Sequence, residues 1–275
     1  MKNLISLISV SYYNSEDLIV NVPQWMSVLE FPFEIIIVDN TNGRDLGLQI
    51  LLDHCIIIRS NNIGFGSGNN LGSTYAKSDK LLYINPDVRI LPEINSALTH
   101  MIRSGINLGG FADSSLTKGL YYNLSIKAQL LNFCSVKISS FNSRCHFFSG
   151  ALLYHKYCGK PLFDDSIFLY CEEIDIINRC KSIGDKVFYY DISASYDHIH
   201  DRSVFNIDMK RFELTSMFYV IDKWRYNKTL VLLIISLRLF LSGFVEFFLK
   251  LKLDKIKQLI ILLYVWFFRG SKPKH

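Results

Sequence analysis

The 275-residue sequence has six cysteines but no Cys-x-x-Cys pair. Cys55, Cys134, Cys145, Cys158, Cys171 and Cys180 sit singly in apolar or helical-looking stretches, which excludes a zinc site of ordinary spacing and a secreted disulfide framework. A reducing cytosol fits that pattern. Proline and glycine are scarce, at 6 and 15 residues, and there is no internal repeat or low-complexity tract, so collagen-like, solenoid and disordered classes fall away. No apolar run of spanning length is free of charge: the longest, Thr229–Leu249, contains Arg238 and Glu246. What remains is a chain that is 49% hydrophobic and long enough for one or two well-cored domains.

The net charge of +5 is unevenly spread. Residues 223–275 hold eleven Lys/Arg against Glu246 and Asp254, a local excess of nine positive charges that leaves the first 222 residues at −4. This basic stretch is also the most hydrophobic part of the chain, which points to an anionic membrane surface; a nucleic-acid arm would be basic but polar. Within it, Arg238, Ser242, Glu246, Lys250, Asp254 and Gln258 recur every four residues, a drifting polar stripe that favours an amphipathic helix lying in the interface over one that spans the bilayer. Leu259–Phe268 is too short to cross alone, and a helical hairpin packed on the globular part is the plainer alternative. Met1-Lys2 and the apolar run after it resemble a short signal peptide, but Leu4–Val10 leads into Ser11-Tyr12-Tyr13-Asn14 with no small-residue cleavage site, so it reads as a first strand.

Over the first hundred residues strands alternate with helices. Leu4–Val10, Glu34–Val38, Cys55–Arg59 and Lys80–Ile84 read as strands, Ser15–Leu29 as a helix that Pro23 breaks or kinks, and Gly68–Lys77 as a second helix. This pattern predicts a doubly wound α/β sheet with its ligand site at the carboxyl ends of the strands. Residues 104–145 show no clean period. Beyond them Phe147–Tyr154 and Lys186–Tyr190 are strand-like, Ile167–Lys181 is helical with acids in its first half, and His198–Ser203 lies on a loop.

Four groups carry chemistry. The loop Asn61–Gly72 has four glycines and four asparagines ahead of a helix, so backbone N–H groups can face a phosphate; it resembles a dinucleotide fingerprint, but Asn69 stands where the last glycine belongs. Asn85-Pro86-Asp87 closes a strand, where a carboxylate can reach a cation bridging two phosphates or simply serve a turn. Glu172-Glu173-Ile174-Asp175 sets Glu172 and Asp175 on one helix face and Glu173 on another, fit for a general base with a supporting acid or for a solvated first turn. His198-Ile199-His200 puts two imidazoles on one side, for metal, phosphate or ordinary packing.

In this order and spacing, SVSYYNSE (Ser9–Glu16), IIIVDNT (Ile35–Thr41), NNIGFGSGNNLG (Asn61–Gly72), YINPDV (Tyr83–Val88), FFSGALL (Phe147–Leu153), FDDSIFLYCEEIDI (Phe163–Ile176) and HIHDRS (His198–Ser203) resemble the family 2 inverting glycosyltransferases of the GT-A fold, in the bacterial rhamnosyltransferase-like branch that builds surface polysaccharide such as O antigen. The resemblance implies a GT-A catalytic domain over 1–210 and a helical membrane-associating region over 211–275. It implies a nucleotide-sugar pocket from Ser11, Tyr12, Asp39, Asn40, Gly64, Gly66, Asn69, Asn70 and Asn85. Mg²⁺ or Mn²⁺ is implied at Asp87 with His198 or His200, and acceptor contacts at Phe148, Ser149 and Gly150. Asn85 replaces the first carboxylate of the family's D-x-D-like motif. The aligned base is Glu173, one methylene longer than the usual Asp, with Asp175 and Glu172 beside it. Expected partners are a dTDP- or UDP-linked sugar, a lipid-linked glycan acceptor and an anionic membrane at the cytoplasmic face of the bacterial inner membrane, with no nucleic acid; a homo-oligomer is left open. L-rhamnose is the expected donor sugar, and a UDP-linked galactose, glucose or N-acetylglucosamine the alternative. A non-catalytic membrane-bound scaffold would fit loss of Asp87 or the carboxylates, which are present, and a nicotinamide oxidoreductase would need a glycine in the first turn, which is absent.

Overall fold

Ile5–Ser11 is buried at every position, as a strand must be when both faces of its sheet are covered, and it forms β1, an interior strand of a seven-stranded sheet. The structure, a computed structural model, describes residues 4–111, 151–183, 187–190, 196–198, 207–237, 240 and 254–268. The other strands are β2 (Phe33–Asp39), β3 (Ile56–Arg59), β4 (Lys80–Ile84), β5 (Val88–Ile90), β6 (Leu108–Phe111), β7 (Leu152–Lys156), β8 (Val187–Tyr190) and β9 (Tyr196–His198). The sheet runs β3-β2-β1-β4-β7-β6-β8. Strands β1 to β4 are parallel neighbours, with Ser11 in register with Asp39, whereas β7 is antiparallel to both β4 and β6. β5 and β9 form a separate antiparallel ribbon, Val88 facing His198. The chain thus turns away on either side of β1, and the crevice at the carboxyl ends of β1, β2 and β4 is where a doubly wound sheet binds its ligand.

Successive strand residues point to opposite faces and build two cores. Ile5, Leu7, Ile35, Ile37, Leu82 and Ile84 pack under α1 (Ser15–Val28) and α3 (Ile94–Arg103). Ile8, Val10, Ile36, Val38, Leu81 and Tyr83 meet Phe163, Ile176 and Ile177, the last two from α4 (Glu172–Ile183). A third core joins Ile167 and Ile174 to α5 (Ile207–Lys223), a helical stretch at 228–237, and α6 (Asp254–Phe268). Among the described residues no helix is long and apolar enough to cross a membrane.

Several expectations are corrected. α1 runs unbroken through Pro23, which sits on the exposed side, where water can satisfy the carbonyl that loses its N–H partner. α2 is Phe65–Ser73, starting three residues before the expected Gly68. Its glycines are close-packing positions: a Cβ on Gly68 would come within 2.9 Å of Val10, and one on Gly72 within 2.5 Å of Ile8 Cγ2. The helix expected at Ile167–Lys181 begins only at Glu172, and His198 closes β9 where a loop was expected. Strands β5 and β6 and helices α3 and α5 were not anticipated.

Because the backbone of α2 lies this close to the sheet, Gly72→Ala is expected to lower stability by about 1–3 kcal/mol. A denaturant midpoint unchanged from wild type would show that α2 can shift away without cost.

Candidate active site

The ends of β1, β2 and β4 carry the polar residues. Ser11 closes β1, and its backbone carbonyl accepts the N–H of Asn40 at 2.9 Å. Asp39 closes β2 and is buried; its Oδ1 accepts from Thr41 N (2.9 Å) and Thr41 Oγ1 (2.5 Å), and its Oδ2 from Gly43 N (2.7 Å). An ionised carboxylate has about four acceptor sites, so one remains for an N–H donor from a ligand. Beside it lies a cavity of about 400 Å³, lined among others by Asp39, Gly43, Asp45, Leu48 and Arg59. Arg59, at the carboxyl end of β3, packs over Gly43: a Cβ there would meet its Nε at 3.0 Å.

Three buried polar atoms at these strand ends have no hydrogen-bond partner among the described residues: Ser11 Oγ, Asn40 Oδ1 and Asn85 Oδ1. Buried polar groups are rarely left so, and three at one sheet edge mark a place built for polar company from outside the chain.

The turn carrying Asn85 and Asp87 is fixed by α1. Asn21 Nδ2 donates to Pro86 O (2.8 Å), Trp25 Nε1 to Val88 O (2.8 Å), and Gln24 exchanges two bonds with Ile90. Asn85 N donates to Ala151 O at 2.8 Å, so residue 151 is tied to this turn. The pairing of β5 with β9 brings the backbone of His198 opposite Val88, one residue from Asp87. His200, Phe148, Ser149 and Gly150 lie outside the described residues.

Gly64, Gly66, Asn69 and Asn70 make contacts within the protein. Gly64 (φ +91°) is pressed against Phe168, whose carbonyl lies 2.4 Å from where a Cβ would sit, so no side chain fits there. Asn40 Nδ2 donates to Gly64 O at 3.1 Å. A Cβ on Gly66 would meet Phe163 at 2.9 Å. Asn69 Nδ2 donates to Phe65 O at 3.2 Å. Asn70 donates to Phe163 O and Asp165 Oδ1 (both 2.9 Å) and accepts from Phe163 N (3.1 Å). The Gly/Asn loop and the 163–168 segment are therefore one fastened unit beside the crevice.

Four residues past Phe168, α4 opens with Glu172 and Glu173. Tyr170 (φ +68°) and Cys171 (φ +69°) immediately before it are both left-handed, a strained pair of the kind that gathers at functional sites. Glu172 is buried, its Oε1 has no partner among the described residues, and Glu173 is half-buried. Burial, and then the charge of Glu173, push the Glu172 carboxyl well above the usual range. Asp175 is fully buried and bound by three donors: Arg179 pairs with Oδ2, while Lys223 Nζ (2.6 Å) and Trp224 Nε1 (2.8 Å) reach Oδ1.

A family model described as glycosyl transferase family 2 matches residues 8–156, more than half of the chain. The chain belongs to glycosyl transferase family 2. Among solved structures, S. aureus TarS 1–349 is 16% identical, with a TM-score of 0.51 over 96% of this chain and 79% of that one. The same protein in complex with UDP-GlcNAc is also 16% identical, with a TM-score of 0.52 over 99% and 82%. At that identity the likeness concerns the fold, which is GT-A-like. A comparison with curated protein sequences found no match. In this family 2 glycosyltransferase the polar ends of β1, β2 and β4 lie inside the matched residues, and the α4 carboxylates and β9 beyond them.

Three residues of the site were not anticipated. Arg59 ends a strand like the other site residues, and that position is the signal that would have found it. Asp164, whose Oδ2 accepts from Lys223 Nζ at 2.5 Å, lies inside the FDDSIFLYCEEIDI motif, and Lys223 counted only as one of the tail's charges.

The raised Glu172 carboxyl gives a prediction with a definite sign. The folded chain holds a proton that the unfolded chain releases, so Glu172 lowers stability as pH rises from the ordinary carboxylate range toward its own raised value, by on the order of 1 kcal/mol per pH unit. Glu172→Gln removes that slope. Melting temperatures from pH 4.5 to 8 should show the variant's advantage over wild type widening with pH; parallel curves would contradict the assignment.

Proposed function

We propose that this enzyme transfers a sugar with inversion from a nucleoside diphosphate sugar to a lipid-linked glycan, Glu173 acting as general base. The observation that carries the reading is the set of buried oxygens on Ser11, Asn40 and Asn85 that have no partner among the described residues, at the strand ends where the Asp39 cavity also opens and where nucleotides bind in doubly wound folds. The cavity is of the size that takes a nucleobase, and the spare acceptor site on Asp39 suits the imide N–H of uracil or thymine, with Arg59 beside it.

Glu173 is the base in this proposal because it stands at the position that the family resemblance aligns with the base, while Asp175 is bound to three donors and burial pushes the Glu172 carboxyl well above the usual carboxylate range. The acceptor hydroxyl gives its proton to Glu173 as its oxygen attacks the anomeric carbon, and the nucleoside diphosphate leaves from the opposite face. Among the described residues no group of three His, Cys, Asp or Glu stands ready for a metal. One carboxylate, Asp87, with His198 or His200 nonetheless suits a hard cation that keeps phosphate oxygens and water as its other ligands, and the orphaned Asn85 Oδ1 adds an oxygen donor to that set. Bound Mg²⁺ or Mn²⁺ there would offset the charge gathering on the diphosphate. Phe148, Ser149 and Gly150, which lie outside the described residues, are proposed for the acceptor on the sequence resemblance.

L-rhamnose from dTDP-rhamnose is the donor the sequence resemblance favours. A UDP-hexose is the second reading, favoured by the likeness in fold to TarS, which was crystallised with UDP-GlcNAc. The enzyme is proposed to sit peripherally on the cytoplasmic face of the bacterial inner membrane. Exposed Leu233, Leu237, Phe240, Ile260, Leu263 and Tyr264, with Lys228 and Lys257 on the same helices, support that placement.

Nucleoside diphosphate release from dTDP-rhamnose, UDP-GlcNAc, UDP-glucose and UDP-galactose, with and without Mg²⁺, tests the reading. One donor is expected to stand out and to need the metal. Glu173→Gln should lower turnover by roughly 10²–10⁴-fold with nucleotide affinity unchanged; retained turnover removes Glu173 from the base role.

A further inference from the structure

One helix outside the matched residues, α5, is bonded along the whole segment that leads into the carboxylates. Phe212, Ser216, Tyr219 and Lys223 are spaced by four, three and four residues and share one face of α5. From that face the Phe212 ring packs on Phe168 at 4.7 Å. Ser216 Oγ donates to Leu169 O at 2.8 Å and Tyr219 Oη to Asp164 Oδ2 at 2.9 Å. Lys223 Nζ bridges Asp164 Oδ2 at 2.5 Å and Asp175 Oδ1 at 2.6 Å. The turn that follows continues the row: Trp224 Nε1 donates to Asp175, and Tyr226 Oη donates to Asn178 Oδ1 at 3.0 Å. Arg179 closes the unit from within α4 by bonding both Asp175 and Leu162 O.

These contacts bracket the left-handed pair Tyr170-Cys171 and the two glutamates that follow it. A left-handed pair of side-chain-bearing residues relaxes unless its surroundings over-determine it, and here the surroundings are α5. Lys223 has a particular place in the row because, from α5, it joins side chains at both ends of the segment, Asp164 before the strained pair and Asp175 after it, as Arg179 does from within α4 through Leu162 O and Asp175.

We propose that α5 is a splint that aims the first turn of α4 at the substrate, with Lys223 the positioning residue that sets where Glu173 stands. The proposal rests on the reading of Glu173 as base. Lys223 touches no reacting group; it acts by holding Asp164 and Asp175 together, and through them the backbone between. Removing it leaves Asp175 with Arg179 and Trp224, and Asp164 with Tyr219 and the N–H of Ser166, so the fold keeps most of its bonds. The expected consequence is a misplaced base in a folded enzyme. Displacements of about 1 Å cost reactions of this kind around 10²-fold, mostly in kcat.

The test compares full-length Lys223→Met, Lys223→Arg, Ser216→Ala and Glu173→Gln, reading kcat and KM on the donor that the panel identifies, and backbone hydrogen exchange. Lys223→Met is expected to lower kcat by about 10- to 100-fold with KM within about threefold. Exchange should rise at residues 169–178 and stay unchanged in β1 and β4. Lys223→Arg, which keeps a cation able to bridge two carboxylates, should recover kcat to within about threefold of wild type. Ser216→Ala, which breaks the bond to Leu169 without altering charge, should show the same split on a smaller scale and serves if Lys223→Met does not fold. Unchanged kcat in Lys223→Met, or exchange that rises across the whole sheet, overturns the splint. If Glu173→Gln loses turnover while Lys223→Met keeps it, the splint fails alone; if Glu173→Gln keeps turnover, the base reading fails and takes the proposal with it.

Discussion

The fully buried carboxylate of Asp175 is the constraint on which the arrangement of the site depends. A charge withdrawn from water is tolerable only when paired and hydrogen-bonded, and Asp175 satisfies this by drawing together Arg179 from its own helix, Lys223 from the end of α5 and Trp224 beyond it. Removing one partner of such a cluster leaves a charge exposed to a low-dielectric interior, so the geometry around it is narrowly defined. That definition extends to the glutamates two and three residues earlier in the chain. The sheet supplies the other half of the site by a different route: helix α1 pins the turn after β4 with Asn21, Gln24 and Trp25, all neutral donors or acceptors to backbone. One side of the crevice is held by charge and the other by hydrogen bonds to main chain.

Between them lies a region whose own groups are incompletely satisfied. Asp39 itself is bonded by Thr41 and Gly43, yet Ser11, Asn40 and Asn85 each keep one buried polar atom without a partner among the described residues. Under the proposed reading the natural completion is the polar surface of a nucleotide sugar, and the strained Tyr170-Cys171 pair leads directly into the α4 glutamates proposed to act on it.

Much of this was legible in the sequence. The central strands were, because β1 and β2 are buried on both faces and read as continuous Ile/Val runs ending in polar turns. The strand-end residues Ser11, Asp39, Asn40 and Asn85 followed from the same rule. The start of α2 was misjudged because glycines at 66, 68 and 72 lower intrinsic helix preference, and close packing on Ile8, Val10 and Phe163 overrides it. The run Ile167–Cys171 has helical spacing but is held out of the helix by the left-handed pair and by bonds to α5, a tertiary effect that periodicity does not record. α5 itself went unread: its significance lies in Lys223 meeting Asp164 and Asp175 across 59 and 48 residues of chain, a pairing no local pattern announces.

The measurement that bears most directly on the account is a crystal structure of the enzyme with UDP and Mn²⁺. It should show the base in the cavity between Asp39 and Arg59, the diphosphate beside Asp87 and the end of β9, and the first turn of α4 facing the sugar end of the nucleotide. Nucleotide bound away from the ends of β1, β2 and β4, or glutamates at 172 and 173 turned from it, would contradict the account.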